Sequence, residues 1–318
     1  MKILANDGIA PIGKENLEKA GYEVITETVA QADLIDAINE NNYVGLLVRS
    51  ATTVRENLID ACPGLKLIGR GGVGMDNIDV EYARNKGLKV INTPAASSQS
   101  VAEQVMAHLF GAARSLYDSN RQMPASGSSD FKTLKKKYGK GVELRGSTIG
   151  IIGFGRIGQS LASYALGCGM NVIAYDPFVP NATINVNVAT QTVSVNIQTI
   201  SLNDLLAQAD FISMHMPMPT DGKALIGNEE FAKMKDGVII ANAARGGIID
   251  EAALITNLDN GKVAHAALDV FTNEPTPKED LLKHSNISLT PHTGAATLEA
   301  QNRIGEELAS QIINYFKK

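Results

Sequence analysis

Short apolar runs alternate with amphipathic segments along the first 95 or so residues of the chain. Runs such as Lys2 to Asn6 and Val44 to Arg49 have the length and composition of buried strands. Between them, segments such as Pro11 to Ala20 repeat their apolar residues with the period of a helix, and Gly21 follows where a helix is expected to end. This alternation predicts βαβ units, and therefore a parallel sheet covered by helices on both faces.

The same alternation restarts at Thr148 to Ile152 and continues through strand-like runs as far as Ile287 to Leu289. A long helix is predicted from Ser100 to about Tyr117, and a polar stretch rich in Ser, Gly and Lys, Asp118 to Gly146, follows it. The sequence therefore predicts an α/β protein with two Rossmann-like domains, each built on a parallel sheet.

The segment from Asn181 to Ile200 departs from this rhythm, because Asn, Thr and Val alternate in it almost strictly. Alternation with a period of two is typical of a half-exposed strand or a hairpin. We interpret the segment as a surface insertion without a catalytic role.

Charge, cysteine content and hydropathy narrow the class of protein. The net charge of −5, from 29 basic and 34 acidic residues, argues against a nucleic-acid partner. The two cysteines, Cys62 and Cys168, lie far apart and indicate neither a disulfide scaffold nor a metal site. The N-terminus lacks the apolar stretch of a signal peptide, and no apolar run is long enough for a membrane span. A cytoplasmic protein without a membrane partner is expected.

A glycine-rich turn, Gly153 to Gly158 (GFGRIG), lies between a strand-like run and a helix-like segment. In that context the spacing is the dinucleotide fingerprint, in which glycines allow a tight turn and close approach to a pyrophosphate at a helix N-terminus. Asp176 ends the next strand, where a carboxylate accepts from a ribose 2′-hydroxyl and would repel a 2′-phosphate. NAD is therefore favoured over NADP. The alternative is a glycine turn in an α/β domain that binds no nucleotide.

A second glycine cluster, Gly69 to Gly74 (GRGGVG), follows the strand-like run Leu65 to Ile68. No capped apolar helix follows it closely, so a second nucleotide site is not favoured. Close approach of the backbone to a small anion at the end of the strand is the preferred interpretation.

Three chemically suited residues, Arg245, Glu274 and His292, each come just after a predicted strand. Ligands of open α/β sheets bind at the carboxyl ends of the strands. An arginine can bind a carboxylate through two parallel hydrogen bonds, and a histidine can exchange a proton with a substrate oxygen. A carboxylate beside that histidine would orient the ring and favour its charged form. The residues suit a hydride transfer that interconverts a 2-hydroxy acid and a 2-oxo acid. The alternative is that their side chains only form hydrogen bonds with backbone groups of the loops.

Together these motifs resemble those of the D-isomer-specific 2-hydroxyacid dehydrogenases. The matching segments are Gly153 to Gly158, Asn242 to Gly247, Leu268 to Pro275 and Pro291 to Ala295. Three N-terminal segments resemble the phosphoglycerate dehydrogenases within that family: Val48 to Thr52, Gly69 to Asp79 and Asn92 to Pro94.

The resemblance implies roles for individual residues. Arg245 would bind the carboxylate and carbonyl of the substrate, His292 would be the acid and base, and Glu274 would pair with it. Asp269 would face the nicotinamide end of NAD. The positions implied for the substrate are Arg49, Ser50, Gly71, Gly72, Arg245 and His292. The positions implied for the cofactor are Gly153, Gly155, Arg156, Ile157, Gly158, Asp176, His215, Met216, Ala243, Ala244, Arg245, Asp269, His292 and Gly294.

The resemblance also implies a domain organisation. The substrate domain would be discontinuous, comprising residues 1–96 and 290–318, with the NAD-binding domain at 97–289 between them. A homodimer would form through the NAD-binding domain. Because Lys318 comes directly after the returning helix, no regulatory domain, and no feedback by serine, is expected.

The leading expectation is oxidation of D-3-phosphoglycerate to 3-phosphohydroxypyruvate, the entry step of serine biosynthesis. Basic residues such as Arg49 or Arg70 would meet the phosphate. Two alternatives remain: a glyoxylate or hydroxypyruvate reductase (or another D-2-hydroxyacid dehydrogenase), and a non-enzymatic NADH-sensing corepressor of the same fold.

Overall fold

The computed structural model describes residues 1–317 of the chain, which form two compact units. The first unit comprises Met1–Ser100 and the segment that begins at Ala295. The second unit is continuous, Val101–Gly294.

The elements are numbered in chain order. The strands are β1 Lys2–Ala5, β2 Glu23–Ile25, β3 Tyr43–Val48, β4 Leu67–Arg70, β5 Lys89–Asn92, β6 Thr148–Ile152, β7 Asn171–Tyr175, β8 Asn181–Val188, β9 Gln191–Gln198, β10 Phe211–Met214, β11 Val238–Asn242, β12 Val263–Leu268 and β13 Ile287–Leu289. The helices are α1 Pro11–Lys19, α2 Leu34–Glu40, α3 Glu56–Ala61, α4 Val80–Asn85, α5 Ser98–Ala113, α6 Leu116–Ser126, α7 Phe131–Tyr138, α8 Arg156–Gly167, α9 Leu202–Gln208, α10 Asn228–Lys233, α11 Glu251–Asp259, α12 Glu279–Lys283 and α13 Leu298–Phe316.

The first unit is built on a parallel sheet with the strand order β2-β1-β3-β4-β5. Apolar side chains of its strands pack in two clusters, as expected for a sheet that helices cover on both faces. Helix α13 packs against α1, where a Cβ atom at Gly13 would lie 2.6 Å from the carbonyl oxygen of Gly305. The two glycines therefore allow the C-terminal helix to lie close on this unit.

The second unit contains a six-stranded parallel sheet with the order β13-β12-β11-β10-β6-β7. Strand β6 has β7 on one side and β10 on the other, so the strand order reverses at β6. In open α/β sheets such a reversal opens a crevice at the carboxyl ends of the strands. The predicted α/β class with Rossmann-like parallel sheets is confirmed.

The insertion between Asn181 and Ile200 forms an antiparallel hairpin, β8 with β9, as the alternation predicts. Its inner side chains, Ile184 and Ile197, are buried against the second unit's core. Its outer face carries cross-strand polar pairs such as Asn185 with Ser194. The alternating pattern thus divides one buried face from one solvent-facing face.

The stretch from Asp118 to Gly146 is more regular than the sequence suggests, because it contains most of α6 and all of α7. The side chains of Lys137 and Tyr138 each donate to the carboxylate of Asp118 over 2.7 Å. Leu134 is buried between polar neighbours. The sequence predicted only a polar stretch here, and the structure adds two short helices that are joined by one shared carboxylate rather than by a continuous apolar stripe.

No helix within residues 1–317 combines the length and the apolar character that crossing a membrane requires. Cys62 and Cys168 are both free thiols.

His265, on β12, is a buried histidine whose Nε2 has no hydrogen-bond partner among residues 1–317. Burial lowers its pKa from 6.5 to about 4, and the nearby charge of Asp118 opposes this only in part. At pH values between about 4 and 6.5, His265 therefore binds a proton in the unfolded chain but not in the folded chain. The contribution of His265 to the free energy of unfolding therefore falls as the pH drops from 6.5 towards 4.

We expect His265→Asn to reduce this loss of stability. Between about pH 7 and about pH 5, the variant should lose on the order of 1–2 kcal/mol less unfolding free energy than the wild type. Urea titrations at both pH values measure the difference. An equal acid-induced loss in the two proteins would contradict the assignment.

Candidate functional site

The fingerprint turn connects β6 to α8 at the point where the strand order reverses. Gly153 has a φ of +93°, and a Cβ atom there would lie 2.6 Å from the carbonyl carbon of His215. A Cβ atom at Gly158 would lie 2.2 Å from the carbonyl oxygen of Gly153, so helix and strand pack too closely for a side chain. A Cβ atom at Gly155 would meet nothing within 4 Å among residues 1–317. The turn therefore leaves open space at Gly155 alone of these three glycines.

Asp176 lies directly after β7 and is connected to the fingerprint by a hydrogen bond. Its Oδ2 accepts from the amide of Phe154 over 2.7 Å, and its Oδ1 accepts from the amides of Phe178 and Val179. Each carboxylate oxygen has further acceptor capacity. The carboxylate is thus fixed beside the turn by backbone donors, with lone pairs left for a hydroxyl group.

His215 follows β10 and lies beside Gly153. Its Nε2 is 2.8 Å from Oγ of Ser213, while its buried Nδ1 has no partner among the described residues. Burial lowers the pKa of His215 to about 3, so its imidazole is neutral at physiological pH. A buried polar atom without a partner is costly in the protein alone. Next to the fingerprint, it indicates a place for a ligand group.

These features fit a dinucleotide. The turn and the N-terminus of α8, with Arg156 and Ile157 in its first turn, would hold the phosphates, and Asp176 would accept from a ribose hydroxyl. Met216 directly follows His215 beside Gly153.

Arg245 lies in the connection after β11. Its Nη1 donates to the carbonyl oxygen of Ala244 over 2.6 Å. Asn242 holds the loop from inside: its side chain donates to the carbonyl of Arg245 and accepts from the amide of Ala244. Gly246 is required here, because a Cβ atom would lie 1.9 Å from the carbonyl oxygen of Phe271. The backbone of this loop therefore packs closely against the segment that carries Glu274.

Glu274 and His292, which are far apart in sequence, are in contact in the structure. Nδ1 of His292 lies 2.8 Å from Oε2 of Glu274, and Oε1 of Glu274 accepts from the amide of Phe271 over 2.9 Å. Both side chains are partly exposed, 44% for His292 and 36% for Glu274. Because a carboxylate only accepts, the proton of the neutral ring belongs on Nδ1. Nε2 is then left with a lone pair that can take up a proton.

The same two residues line one wall of a cavity of about 450 Å³ in the second unit. Its other walls are mainly apolar: Phe271, Pro275, Pro277, Leu282, Leu289, Thr290 and Pro291. Apolar side chains therefore surround one side of the Glu274–His292 pair.

Asp269 is buried, with an exposed fraction of 2%, and its carboxylate accepts four hydrogen bonds from protein groups. Two of the donors are the amides of Thr293 and Gly294, directly after His292. In the structure Asp269 therefore holds the loop that carries His292. A contact between Asp269 and the nicotinamide stays a prediction.

The predicted substrate positions Arg49, Ser50, Gly71 and Gly72 lie in the first unit, after β3 and β4. Arg49 and Gly71 line a cavity of about 280 Å³ in that unit. The guanidinium of Arg70 lies over Gly72, where a Cβ atom would be 2.2 Å from Nη1. The second glycine cluster thus makes room for an arginine side chain.

Asp7, which no sequence motif marks, holds the loop that contains Arg49. Its Oδ2 accepts from the amides of Arg49 (2.6 Å) and Thr52 (3.1 Å), and its Oδ1 accepts from Oγ1 of Thr52. Its place just after the first strand, where ligand loops gather, was the available signal.

A family model, D-isomer specific 2-hydroxyacid dehydrogenase, NAD binding domain, matches residues 106–294. The chain is 40% identical to the D-3-phosphoglycerate dehydrogenase of Archaeoglobus fulgidus over 100% of its own length and 58% of the relative's. It is 43% identical to the hydroxypyruvate reductase of Thermotoga maritima over 95% of each. An NAD+-bound 3-phosphoglycerate dehydrogenase from Entamoeba histolytica matches in structure with a TM-score of 0.79 and 30% identity, covering 100% and 96% of the two chains.

The chain therefore belongs to the D-isomer specific 2-hydroxyacid dehydrogenases, a family of NAD-dependent oxidoreductases. Its NAD-binding domain contains the fingerprint, Asp176 and the Glu274–His292 pair. The chain spans little more than half the length, 58%, of the Archaeoglobus phosphoglycerate dehydrogenase and nearly the whole of the Thermotoga reductase.

Proposed function

We propose that this protein oxidises D-3-phosphoglycerate to 3-phosphohydroxypyruvate, with NAD as the hydride acceptor. The observation that carries the reaction class is the Glu274–His292 hydrogen bond of 2.8 Å in the same domain as the dinucleotide fingerprint. The substrate is supported by relatives named D-3-phosphoglycerate dehydrogenase. The first unit, with the returning segment, would be the substrate domain.

His292 accepts the proton in the proposed oxidation. Its Nε2 takes the proton of the C2 hydroxyl group while the hydrogen on C2 leaves as hydride, so a C–H and an O–H bond break and a carbonyl forms. Bound NAD supplies the hydride acceptor. The imidazolium that results is stabilised by Glu274, whose carboxylate is held in place by the amide of Phe271. In the reverse direction His292 returns the proton.

Arg245 binds the substrate carboxylate and polarises the C2 oxygen, since its guanidinium offers parallel donors. In the first unit, Ser50, Gly71 and Gly72 lie beside the two arginines that suit the phosphate, Arg49 and Arg70. The anchoring of the Arg49 loop by Asp7 supports a fixed binding geometry.

Homodimer formation through the NAD-binding domain is part of the proposal. It is supported by large apolar side chains that are at least 43% exposed within residues 110–142: Phe110, Leu116, Met123, Phe131 and Val142. Sedimentation velocity of the wild-type chain measures this state directly. With phosphoglycerate as substrate, the reaction would begin serine biosynthesis in the cytoplasm, in keeping with two free thiols.

The second candidate, hydroxypyruvate reductase, is favoured by the Thermotoga relative, which the chain matches over 95% of both lengths. The two functions differ in one substrate feature, the phosphate. They share the acid–base pair and the cofactor.

A steady-state assay of NADH formation with D-3-phosphoglycerate, D-glycerate, D-lactate and D-2-hydroxyglutarate separates the candidates. We expect kcat/KM to be highest for D-3-phosphoglycerate, by about ten- to a hundredfold over D-glycerate, because the phosphate adds charge-assisted hydrogen bonds. Arg49→Ala should reduce that ratio, and it should have a smaller effect on the rate with D-lactate, which carries no phosphate. A preference for D-glycerate would instead identify the hydroxypyruvate reductase.

A further inference from the structure

We propose that Gln104 and His108, two side chains of α5, are positioning residues that hold His292 for proton transfer. The inference rests on the proposed function, in which His292 is the acid and base. Neither residue touches His292. Both act through the buried groups beneath the loop from Thr290 to Gly294.

The carboxylate of Asp269 is the first of these groups. Its Oδ1 accepts from the amide of Thr293 (2.9 Å), and its Oδ2 accepts from the amide of Gly294 (2.9 Å). The backbone carbonyl of Asp269 accepts from the amide of His292 over 2.8 Å. One residue thus binds three successive amides of the loop, and its orientation determines where His292 lies.

Gln104 fixes that carboxylate from the other side. Its Nε2 donates to Oδ1 of Asp269 (3.0 Å) and lies 2.7 Å from Oγ1 of Thr290 and 3.3 Å from Oγ1 of Thr293. Its Oε1 is buried and has no partner among residues 1–317. An unsatisfied amide oxygen costs stability. Because the fold tolerates this cost, we infer that the glutamine at this position serves to provide the contacts of its amide nitrogen.

His108 completes the arrangement through Thr290. The Thr290 hydroxyl group donates to Oδ1 of Asp269 over 2.6 Å, so its oxygen must accept from Nε2 of His108, 3.0 Å away. The His108 ring is therefore protonated on Nε2, and its Nδ1 accepts from Oγ of Ser288 over 2.9 Å. Burial lowers the pKa of His108, against a smaller opposing effect of Asp269, which favours this neutral form.

The loop needs such support because His292 has a φ of +54°, in the left-handed region. For a residue with a side chain this conformation is unfavourable and persists only where the surroundings enforce it. Next to it, a Cβ atom at Gly294 would lie 3.0 Å from Oε1 of Gln104 and 3.1 Å from Oδ2 of Asp269. The strained histidine is therefore held between its hydrogen bond to Glu274 and the packed groups below it.

The geometry of α5 explains why these two residues act together. Gln104 and His108 are four residues apart, which places them on the same side of a helix. Both therefore face the loop after β13, where the hydroxyl oxygen of Thr290 accepts from both. The apolar pattern of α5 gave no sign of this polar pair.

The test compares Gln104→Ala with Gln208→Ala, a matched change at an exposed glutamine at the end of α9. We expect kcat to fall about ten- to a hundredfold in Gln104→Ala, since small displacements of a catalytic group have effects of that size. The affinity for NAD should not change. The kinetic isotope effect with C2-deuterated substrate should rise, because the chemical step becomes slower. Gln208→Ala should match the wild type in all three quantities.

A second pair keeps the test decisive if Gln104→Ala does not fold. Thr290→Val removes the shared hydroxyl group at nearly constant volume, whereas Thr290→Ser retains it. We expect Thr290→Val to lower kcat and raise the isotope effect, and Thr290→Ser to restore both. Wild-type values in Gln104→Ala or Thr290→Val would overturn the positioning role while leaving the proposed function intact.

Amide exchange separates this inference from the proposed function. If the wild type oxidises no D-2-hydroxy acid, the proposed function fails, yet the hold on the loop can still be measured. The amides of Thr293 and Gly294 should exchange faster with solvent in Gln104→Ala than in Gln208→Ala. Equal exchange rates would overturn the inference independently of any activity.

Discussion

His292→Ala should lower kcat by about a hundred- to ten-thousandfold, the range over which positioned general acids and bases contribute. The affinity for NAD should be retained. The groups expected to hold the dinucleotide, at the fingerprint, Asp176 and His215, make their contacts with residues other than His292. Stopped-flow measurement of NADH formation, together with a fluorescence titration of NADH binding, checks both halves of this expectation.

Glu274→Gln provides the internal control for that result. In the wild-type background it should lower kcat, since the imidazolium loses its charged partner. In the His292→Ala background it should have little further effect, because coupled residues are not additive. The matched control is His284→Ala. His284 lies at the end of α12 and accepts a hydrogen bond from the amide of Asn286, and its replacement should leave kcat as in the wild type.

Substantial turnover by His292→Ala would refute the acid–base assignment.

Two alanine substitutions in the fingerprint should separate folding from cofactor binding. Gly155→Ala should leave the melting temperature unchanged, since its backbone has ordinary extended angles (φ −76°, ψ −161°) and its Cβ would meet open space. It should nevertheless weaken NAD binding by about ten- to a hundredfold, because the new methyl group would occupy the space that the pyrophosphate needs. Thermal unfolding and a binding titration measure the two effects.

Gly158→Ala is the contrasting variant. Its Cβ would lie 2.2 Å from the carbonyl oxygen of Gly153 and 3.0 Å from a methyl group of Ile151, so α8 must move away from β6. We expect a loss of about 1–3 kcal/mol of unfolding free energy as well as weaker NAD binding. If Gly155→Ala bound NAD normally, the phosphates would not lie where the fingerprint predicts.

Local signals in the sequence carried the prediction of the fold and of the cofactor. The fingerprint can be identified from sequence because backbone geometry requires its glycines. The strand–turn–helix connection itself imposes the positive φ at Gly153 and the short contact distances at Gly158. The period of two between Asn181 and Ile200 likewise specifies a hairpin with one buried face.

Features that depend on contacts between distant parts of the chain could not be predicted from the sequence. Asp269 looks like a ligand-facing carboxylate at the end of a strand, and only the fold shows that four protein donors bind it. Gln104 and His108 lie in an apolar helix, and their partners are more than 160 residues away in sequence. Helices α6 and α7 were missed for a related reason, since Asp118 joins them through side chains rather than through an apolar stripe.

We propose that the chain transfers a hydride from C2 of a D-2-hydroxy acid to NAD. The most direct test is incubation of the wild-type protein and NAD with C2-deuterated D-3-phosphoglycerate, followed by mass spectrometry of the reduced cofactor. We predict that the deuterium appears in the reduced nicotinamide, and that the L-enantiomer yields none. Absence of deuterium transfer from this and every other D-2-hydroxy acid assayed, in protein that binds NAD, would exclude this hydride transfer.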